Sequence, residues 1–84
     1  MWSTDQGKLH KQFEFRNFIE AFAFVTKVAM ISERVNHHPE ICIRYKTVEL
    51  HLCTHDEENT ITEKDRHLAE RIDQAYKLCL TEPE

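Results

Sequence analysis

Apolar and polar residues alternate in two parts of the chain, and this period of two is typical of half-buried β-strands. Phe13 and Phe15 share one face of an extended segment, whereas Glu14 faces the other way. The alternation returns over residues 41–55, where a break near Lys46 predicts a hairpin of two antiparallel strands. A short strand close to the N-terminus, before a turn that contains glycine, would bring the number of strands to four.

Two other segments have the wider apolar spacing of amphipathic helices. The first is predicted to begin at the capping residue Asn17 and to end near Asn36, and the second follows a capping-box sequence at residues 62–65. The first helix carries two apolar rows, which are Phe18, Phe22 and Val25 in one row and Ala21, Phe24 and Val28 in the other. Because two rows exceed what one sheet face can cover, we expect this helix to contact a second subunit as well.

The order of these elements, β-β-α-β-β-α, predicts a single α+β domain over residues 1–84 with a four-stranded antiparallel sheet. A chain of this size buries only about 60–65% of its unfolded surface when it folds. Contact with a partner would therefore stabilise it, and we expect a homodimer or a homotetramer.

The charge and the cysteine content exclude several classes of protein. The net charge is −4 and the pI is about 5.8, so we expect no direct binding of nucleic acid. We find no apolar run of the length that a signal peptide or a membrane span requires. An odd number of cysteines favours a reducing compartment, cytoplasmic or nuclear, and we interpret all three as small buried groups, namely Cys42, Cys53 and Cys79.

The strongest chemical signal is the histidine doublet His37-His38, which is followed by Pro39 and later by His55. Imidazoles exchange protons near neutral pH, so this arrangement favours general acid and base catalysis. Because a proline disfavours helix at the residue before it, the doublet is predicted to lie where the first helix ends, with both rings turned toward one cleft. Glu33 precedes His37 by four residues and could orient or charge that imidazole.

Two other interpretations of these histidines stay open. Histidines at a helix C-terminus are commonly capping or surface residues. A zinc site is the second alternative, with potential ligands His37, His38, His51, His55, Cys42 and Cys53. The CxxC and HExxH spacings of common zinc motifs do not occur, so we expect no metal. We interpret three further histidines as packing or surface residues, namely His10, His51 and His67.

Seven chemically distinctive residues follow one another in the order Glu33, His37, His38, Pro39, Tyr45, His55 and Asp65. This ordered set resembles the signature of the pterin-4a-carbinolamine dehydratases, and the similarity extends over nearly the whole chain. It implies that two helices pack on one face of the four-stranded sheet. One difference is Ile41, which stands where the family commonly has an aromatic residue.

The resemblance implies an enzyme that dehydrates 4a-hydroxytetrahydropterin to quinonoid dihydropterin in tetrahydrobiopterin recycling, without a metal or a nucleotide cofactor. It assigns acid and base catalysis to His37 and His55 without deciding which is the acid, and His38 would hold the pterin beside them. The remaining residues expected to meet the substrate or to place charge near it are Glu33, Pro39 and Asp65. Asp65 is equally well interpreted as the capping carboxylate of the second helix, and the two roles are compatible.

Two functions from other classes also remain open. Animal members of the family bind the dimerisation helix of a homeodomain transcription factor and act as its coactivator, through helix surface that otherwise joins subunits. The other alternative is a pterin-binding protein without catalytic activity. It stays open because Ile41 replaces the aromatic residue that the family commonly has at this position. Turnover of the carbinolamine distinguishes the enzyme from both.

Overall fold

The computed structural model describes residues 2–54 and 60–81, and its elements confirm the predicted order β-β-α-β-β-α. The strands are β1 (Ser3–Asp5), β2 (Lys8–Glu14), β3 (Glu40–Arg44) and β4 (Thr47–Leu52), and the helices are α1 (Phe18–Val35) and α2 (Glu63–Thr81). All strand pairs are antiparallel, in the order β1-β2-β4-β3. The polar sequence of residues 56–59 predicts a loop, and this segment lies outside the described residues.

One face of the sheet forms the core with both helices, as the family resemblance implied. Leu9 and Phe13 of β2 are buried there beside Val48, Leu50 and Leu52 of β4. The helices supply the other side of the core, chiefly Ala21, Phe24, Val28, Leu68 and Ile72. Burial of each large apolar side chain stabilises the fold by roughly 1.5–3 kcal/mol, so this face holds α1 and α2 in place.

The opposite face of the sheet is polar, as the alternation predicts. His10 of β2 and Glu49 of β4 lie there, and the adjacent strand β3 contributes Cys42 between two charged residues. Cys42 is exposed, whereas Cys53 is buried and Cys79 is half-buried. The interpretation of all three cysteines as buried groups is therefore wrong for Cys42, because its strand register places it on the polar face.

The two apolar rows of α1 have different environments. Asn17 caps the helix as predicted, since its Oδ1 accepts a hydrogen bond from the Glu20 N–H at 2.9 Å. The row Ala21, Phe24 and Val28 is 0% exposed and faces the sheet. In the other row, the exposed fractions are 47% for Phe18 and 52% for Phe22.

Helix α2 packs against the core through its apolar face, on which Leu68, Ile72 and Ala75 are buried. Two side-chain hydrogen bonds hold α2 beside the sheet. Trp2, which precedes β1, donates its indole N–H to the carboxylate of Asp73, and the Tyr76 hydroxyl donates to the carbonyl of Glu14 at 3.0 Å. Among the described residues, neither helix combines the length and the apolar character that crossing a membrane requires.

Candidate active site

The end of α1 turns the histidine doublet away from the helix axis. Asn36 adopts the left-handed conformation, with φ 55° and ψ 46°, and its N–H donates to the carbonyl of Glu33 at 3.2 Å. The His37 N–H donates to the carbonyl of Ser32 at 3.0 Å. These two bonds are those of a Schellman motif, in which a left-handed residue stops the helix and redirects the chain. The prediction that the doublet lies where the helix ends is confirmed.

His37 is held by the carboxylate of Asp65. Its Nε2 lies 2.6 Å from Asp65 Oδ1, and the exposed side-chain fractions are 12% for His37 and 0% for Asp65. The contact joins the end of α1 to the first turn of α2, across 28 positions in the sequence. An imidazole hydrogen-bonded in this way has one ring orientation, so the fold positions His37 before any substrate binds.

Asp65 accepts hydrogen bonds from two further donors. Its Oδ2 receives the Thr54 hydroxyl at 2.8 Å and the Thr62 N–H at 2.9 Å, the latter being the capping bond expected at the start of α2. Burial raises the pKa of Asp65, but the bonds from His37, the Thr62 N–H and the Thr54 hydroxyl outweigh it and hold this pKa below its ordinary value. Asp65 is therefore a carboxylate at neutral pH, and His37 must donate its Nε2–H to it.

Thr54 is a site residue that the sequence analysis did not identify. It is 3% exposed and follows the inward-facing residues Leu50 and Leu52 at the same alternation. A polar side chain at an inward position must find a partner, and this was the signal available in the sequence. Because the Thr54 hydroxyl donates to Asp65, the Thr62 hydroxyl, 2.6 Å away, donates to Thr54.

Glu33 contacts His38, so the suggestion that it orients His37 is not what the structure shows. The Glu33 Oε1 atom lies 2.8 Å from His38 Nε2, and the exposed side-chain fractions are 80% and 56%. The two histidines therefore have different carboxylate partners. The expected Glu33–His37 pairing assumed that the helix continues to His37. Because Asn36 adopts the left-handed conformation, the helical spacing ends before His37 and its side chain points elsewhere.

The remaining residues of the family signature are Pro39, Tyr45 and His55, of which the first two lie in the described part of the chain. Pro39 is half-buried between His38 and the start of β3. Tyr45 lies in the turn between β3 and β4, where it is 66% exposed and has a φ of 54°. His55 lies outside the described residues, and its role stays a prediction. Its neighbour in the sequence, Thr54, is the residue hydrogen-bonded to Asp65.

The comparisons with known proteins identify the family. Residues 1–75 match the family model described as pterin 4 alpha carbinolamine dehydratase. The chain belongs to this family. A relative from Sulfolobus acidocaldarius is 45% identical over 71 residues, which cover 84% of this chain and 77% of that protein. A relative from Prochlorococcus marinus is 51% identical over 72 residues, with 86% and 74% covered. Both carry provisional names as pterin-4-alpha-carbinolamine dehydratases.

Two solved structures share the fold of this chain. A transcriptional coactivator/pterin dehydratase from Brucella melitensis matches with a TM-score of 0.82 and 32% identity, over 89% of this chain and 81% of that one. A pterin dehydratase-like protein described as a RuBisCO assembly factor in the alpha-carboxysome matches with a TM-score of 0.73 and 25% identity, over 90% and 87%. Proteins with this fold are therefore described as a transcriptional coactivator/pterin dehydratase and as a RuBisCO assembly factor.

The His37–Asp65 pair has the chemistry of an oriented acid–base group. Because Nε2–H is committed to Asp65, the opposite ring nitrogen, Nδ1, is the ring atom that is left to exchange a proton. The Asp65 carboxylate balances the positive charge that the ring acquires when Nδ1 takes a proton, as in other His–Asp pairs. The arrangement is therefore chemically capable of acid–base catalysis.

The low pKa of Asp65 makes a prediction for acid stability. The unfolded chain binds the proton of this carboxyl more readily than the folded chain, so the stability from ionised Asp65 is complete above about pH 4 and is lost as the pH falls through the lower pKa of the folded state. We expect the wild-type free energy of unfolding to decline below about pH 4 more steeply than that of Asp65→Asn. Urea unfolding at a series of pH values measures both curves.

Glu70→Gln is the matched control, because Glu70 is an exposed carboxylate on the same helix. Its pH dependence should follow that of the wild type, whereas that of Asp65→Asn should not. If Asp65→Asn and the wild type declined in parallel, the hydrogen bonds to Asp65 would not favour its ionised form.

Proposed function

We propose that this chain converts a 4a-hydroxytetrahydropterin to the corresponding quinonoid dihydropterin. The observation that carries the proposal is the contact between half-buried His37 and buried Asp65 at the end of α1, with 2.6 Å between Nε2 and Oδ1. A carboxylate that is 0% exposed and ionised is costly to bury unless it is fully paired, and here it is used to orient an imidazole. Membership of the dehydratase family supports the same reaction.

The reaction needs two proton transfers and no change of oxidation state. A proton is delivered to the 4a-hydroxyl, which leaves as water, and the proton on N5 is removed as the double bond between C4a and N5 forms. One group that gives a proton and one that takes a proton are sufficient, and histidines serve both purposes at neutral pH.

We assign the two proton transfers to His37 and His55. Asp65 acts on the reaction through His37, whose ring it orients, and is a positioning residue. His38 and Glu33 form a hydrogen-bonded pair that is largely exposed, so both are accessible to a molecule bound beside His37. We assign them, with Pro39, to binding of the pterin.

The decisive experiment follows turnover of a synthetic 4a-carbinolamine by absorbance. The wild-type protein should accelerate the loss of the carbinolamine well above the spontaneous rate, and His67→Ala should do so equally, since His67 is an exposed residue of α2. A wild-type rate equal to the spontaneous background would reject the enzyme and favour a pterin-binding or partner-binding protein. Saturable binding of the pterin product would then separate these two.

Chelation is expected to leave turnover unchanged. In the proposed mechanism the imidazoles carry protons, and an imidazole that binds a metal could not exchange a proton at the same nitrogen. Turnover should be compared before and after dialysis against a strong chelator, with circular dichroism to verify the fold. A loss of activity that returns on addition of zinc would contradict metal-free catalysis.

A second candidate function is the binding of a partner helix, as in a coactivator. The observation that favours it is an apolar patch on α1, formed by Phe18, Ile19 and Phe22, whose exposed fractions are 47%, 77% and 52%. The Brucella melitensis neighbour is described both as a transcriptional coactivator and as a pterin dehydratase. Because the patch does not include the His37–Asp65 pair, partner binding and catalysis are compatible in one chain.

We further propose that the same patch joins copies of this chain. An exposed patch of large apolar side chains is unfavourable in water, and association of two identical subunits would cover it. The homodimer or homotetramer expected from the sequence would then be joined through the patch formed by Phe18, Ile19 and Phe22.

A further inference from the structure

Three potential metal ligands lie together on the polar face of the sheet, away from the helices. His10 of β2 is directly opposite His51 of β4, and their rings stack with centroids 4.5 Å apart and an angle of 27° between the planes. Asp5, the last residue of β1, completes the group, and one potential ligand atom from each residue lies within 4.8 Å of the others. Antiparallel pairing therefore brings together side chains from three strands.

The Asp5–His51 distance is closer to the separation of two metal ligands than to a hydrogen bond. His51 Nε2 lies 3.6 Å from Asp5 Oδ2, which is too long for a hydrogen bond. Two ligand atoms bound to one tetrahedral zinc ion at about 2.0–2.1 Å are separated by about 3.3–3.4 Å. The Asp5–His51 distance is within a small side-chain rotation of that separation. Each of the three side chains is also accessible, with exposed fractions of 24% for His10, 26% for His51 and 55% for Asp5.

We propose that Asp5, His10 and His51 bind a divalent transition-metal ion, for which zinc is the best fit. Two imidazoles and one carboxylate are donors that zinc prefers, whereas calcium and magnesium prefer sites made of oxygen atoms. Three protein ligands leave a fourth position for water. The carboxylate of Glu49 lies on the same face, 3.8 Å from His10 Nε2, but it is also paired with Arg44 at 3.4 Å and is not required.

The site would stabilise the edge of the sheet. Strand β1 has three residues and, within the described part of the chain, pairs only with β2. A metal bound by Asp5, His10 and His51 would connect β1, β2 and β4, so that fraying of β1 would break a coordinate bond. We expect metal binding to slow hydrogen exchange of the backbone amides that pair β1 with β2.

The sequence alone predicted no metal, because this group is defined by strand pairing and not by spacing along the chain. Asp5 and His10 were not among the potential ligands, since Asp5, His10 and His51 are separated in sequence by 4 and 40 intervening residues. Only the register, with His10 opposite His51 and β1 beside β2, brings them together. The group is on the opposite face of the sheet from the core, so it is separate from the His37–Asp65 pair.

The test is a calorimetric titration of the metal-free protein with zinc alone. The wild type should bind one equivalent, and its melting temperature should rise with zinc. His10→Gln and His51→Gln should each weaken binding by at least about tenfold and reduce the rise in melting temperature. His67→Gln is the matched control, because it removes an exposed imidazole from α2, and it should bind zinc as the wild type does.

Two further measurements keep the proposal falsifiable. Asp5→Asn changes an exposed ligand without altering the strand pair, so it should weaken binding even if a histidine variant fails to fold. Zinc should shift the imidazole resonances of His10 and His51 in NMR spectra. The proposal is overturned if the wild type binds no zinc at millimolar concentration, or if His38→Gln abolishes binding while His10→Gln and His51→Gln retain it.

Discussion

Replacing His37 with alanine is expected to lower turnover of the 4a-carbinolamine about a hundredfold, since general acid–base groups contribute on the order of 10²–10⁴ in rate. The Asp65 carboxylate holds the His37 ring, with 2.6 Å between Oδ1 and Nε2, so the substitution removes an imidazole that is already oriented. We expect the same reduction for His55→Ala, because the mechanism needs both a donor and an acceptor. Rates under saturating substrate measure the chemical step in each variant.

The controls for this experiment separate proton transfer from binding and from folding. His38→Ala should chiefly raise KM, because His38 is assigned to binding and is 56% exposed. Far-ultraviolet circular dichroism is needed for His37→Ala, since the change also removes one hydrogen bond from buried Asp65. Wild-type rates in both His37→Ala and His55→Ala, with the fold intact, would remove the proposed roles.

The sequence was sufficient to predict the parts of the fold that depend on local pattern. The alternation at Phe13 and Phe15 places both on the core face, and Asn17 begins α1 as the capping pattern indicated. The end of the helix was also predictable, because Pro39 disfavours helix at His38. These features depend on a residue and its near neighbours, which periodicity and capping preferences describe well.

The pairing within the candidate site was less predictable, because it depends on contacts between distant residues. Helical spacing favoured Glu33 as the partner of His37, but the structure pairs His37 with Asp65, 28 positions away, and Glu33 with His38. The left-handed conformation of Asn36, which ends that spacing, is one that asparagine adopts more readily than most residues. Capping patterns did predict that Asp65 begins α2, so the residue was identified and its partner was not.

The environment of each cysteine and histidine on the sheet could be predicted only with knowledge of the strand register. Cys42 is exposed because it pairs with Glu49 on the polar face, a pairing that the sequence did not specify. The stacked His10–His51 pair has the same origin. Alternation predicts which residues share a face within a strand, but only the observed pairing of β2 with β4 shows which residues are opposite one another.

Introducing a charge at Phe24 is expected to unfold the domain. Phe24 is 0% exposed and its ring packs 4.9 Å from Phe13 and 5.1 Å from Phe15, measured between centroids. Loss of a buried phenylalanine side chain costs about 3–5 kcal/mol, and burial of an unpaired carboxylate costs more. A domain of this length is stable by only about 4–13 kcal/mol, so Phe24→Glu should show no cooperative thermal unfolding transition.

The same change at Phe22 should retain the fold and alter the mass of the protein in solution. Phe22 is 52% exposed and packs against Phe18, with ring centroids 5.8 Å apart, so a carboxylate there remains in water in the free subunit. In an oligomer joined by this patch, symmetry would bring two such carboxylates together and favour dissociation. Sedimentation at micromolar concentration should therefore give an oligomer for the wild type and a smaller species for Phe22→Glu. A monomeric wild type would reject self-association, and an unchanged oligomer in Phe22→Glu would place the interface elsewhere.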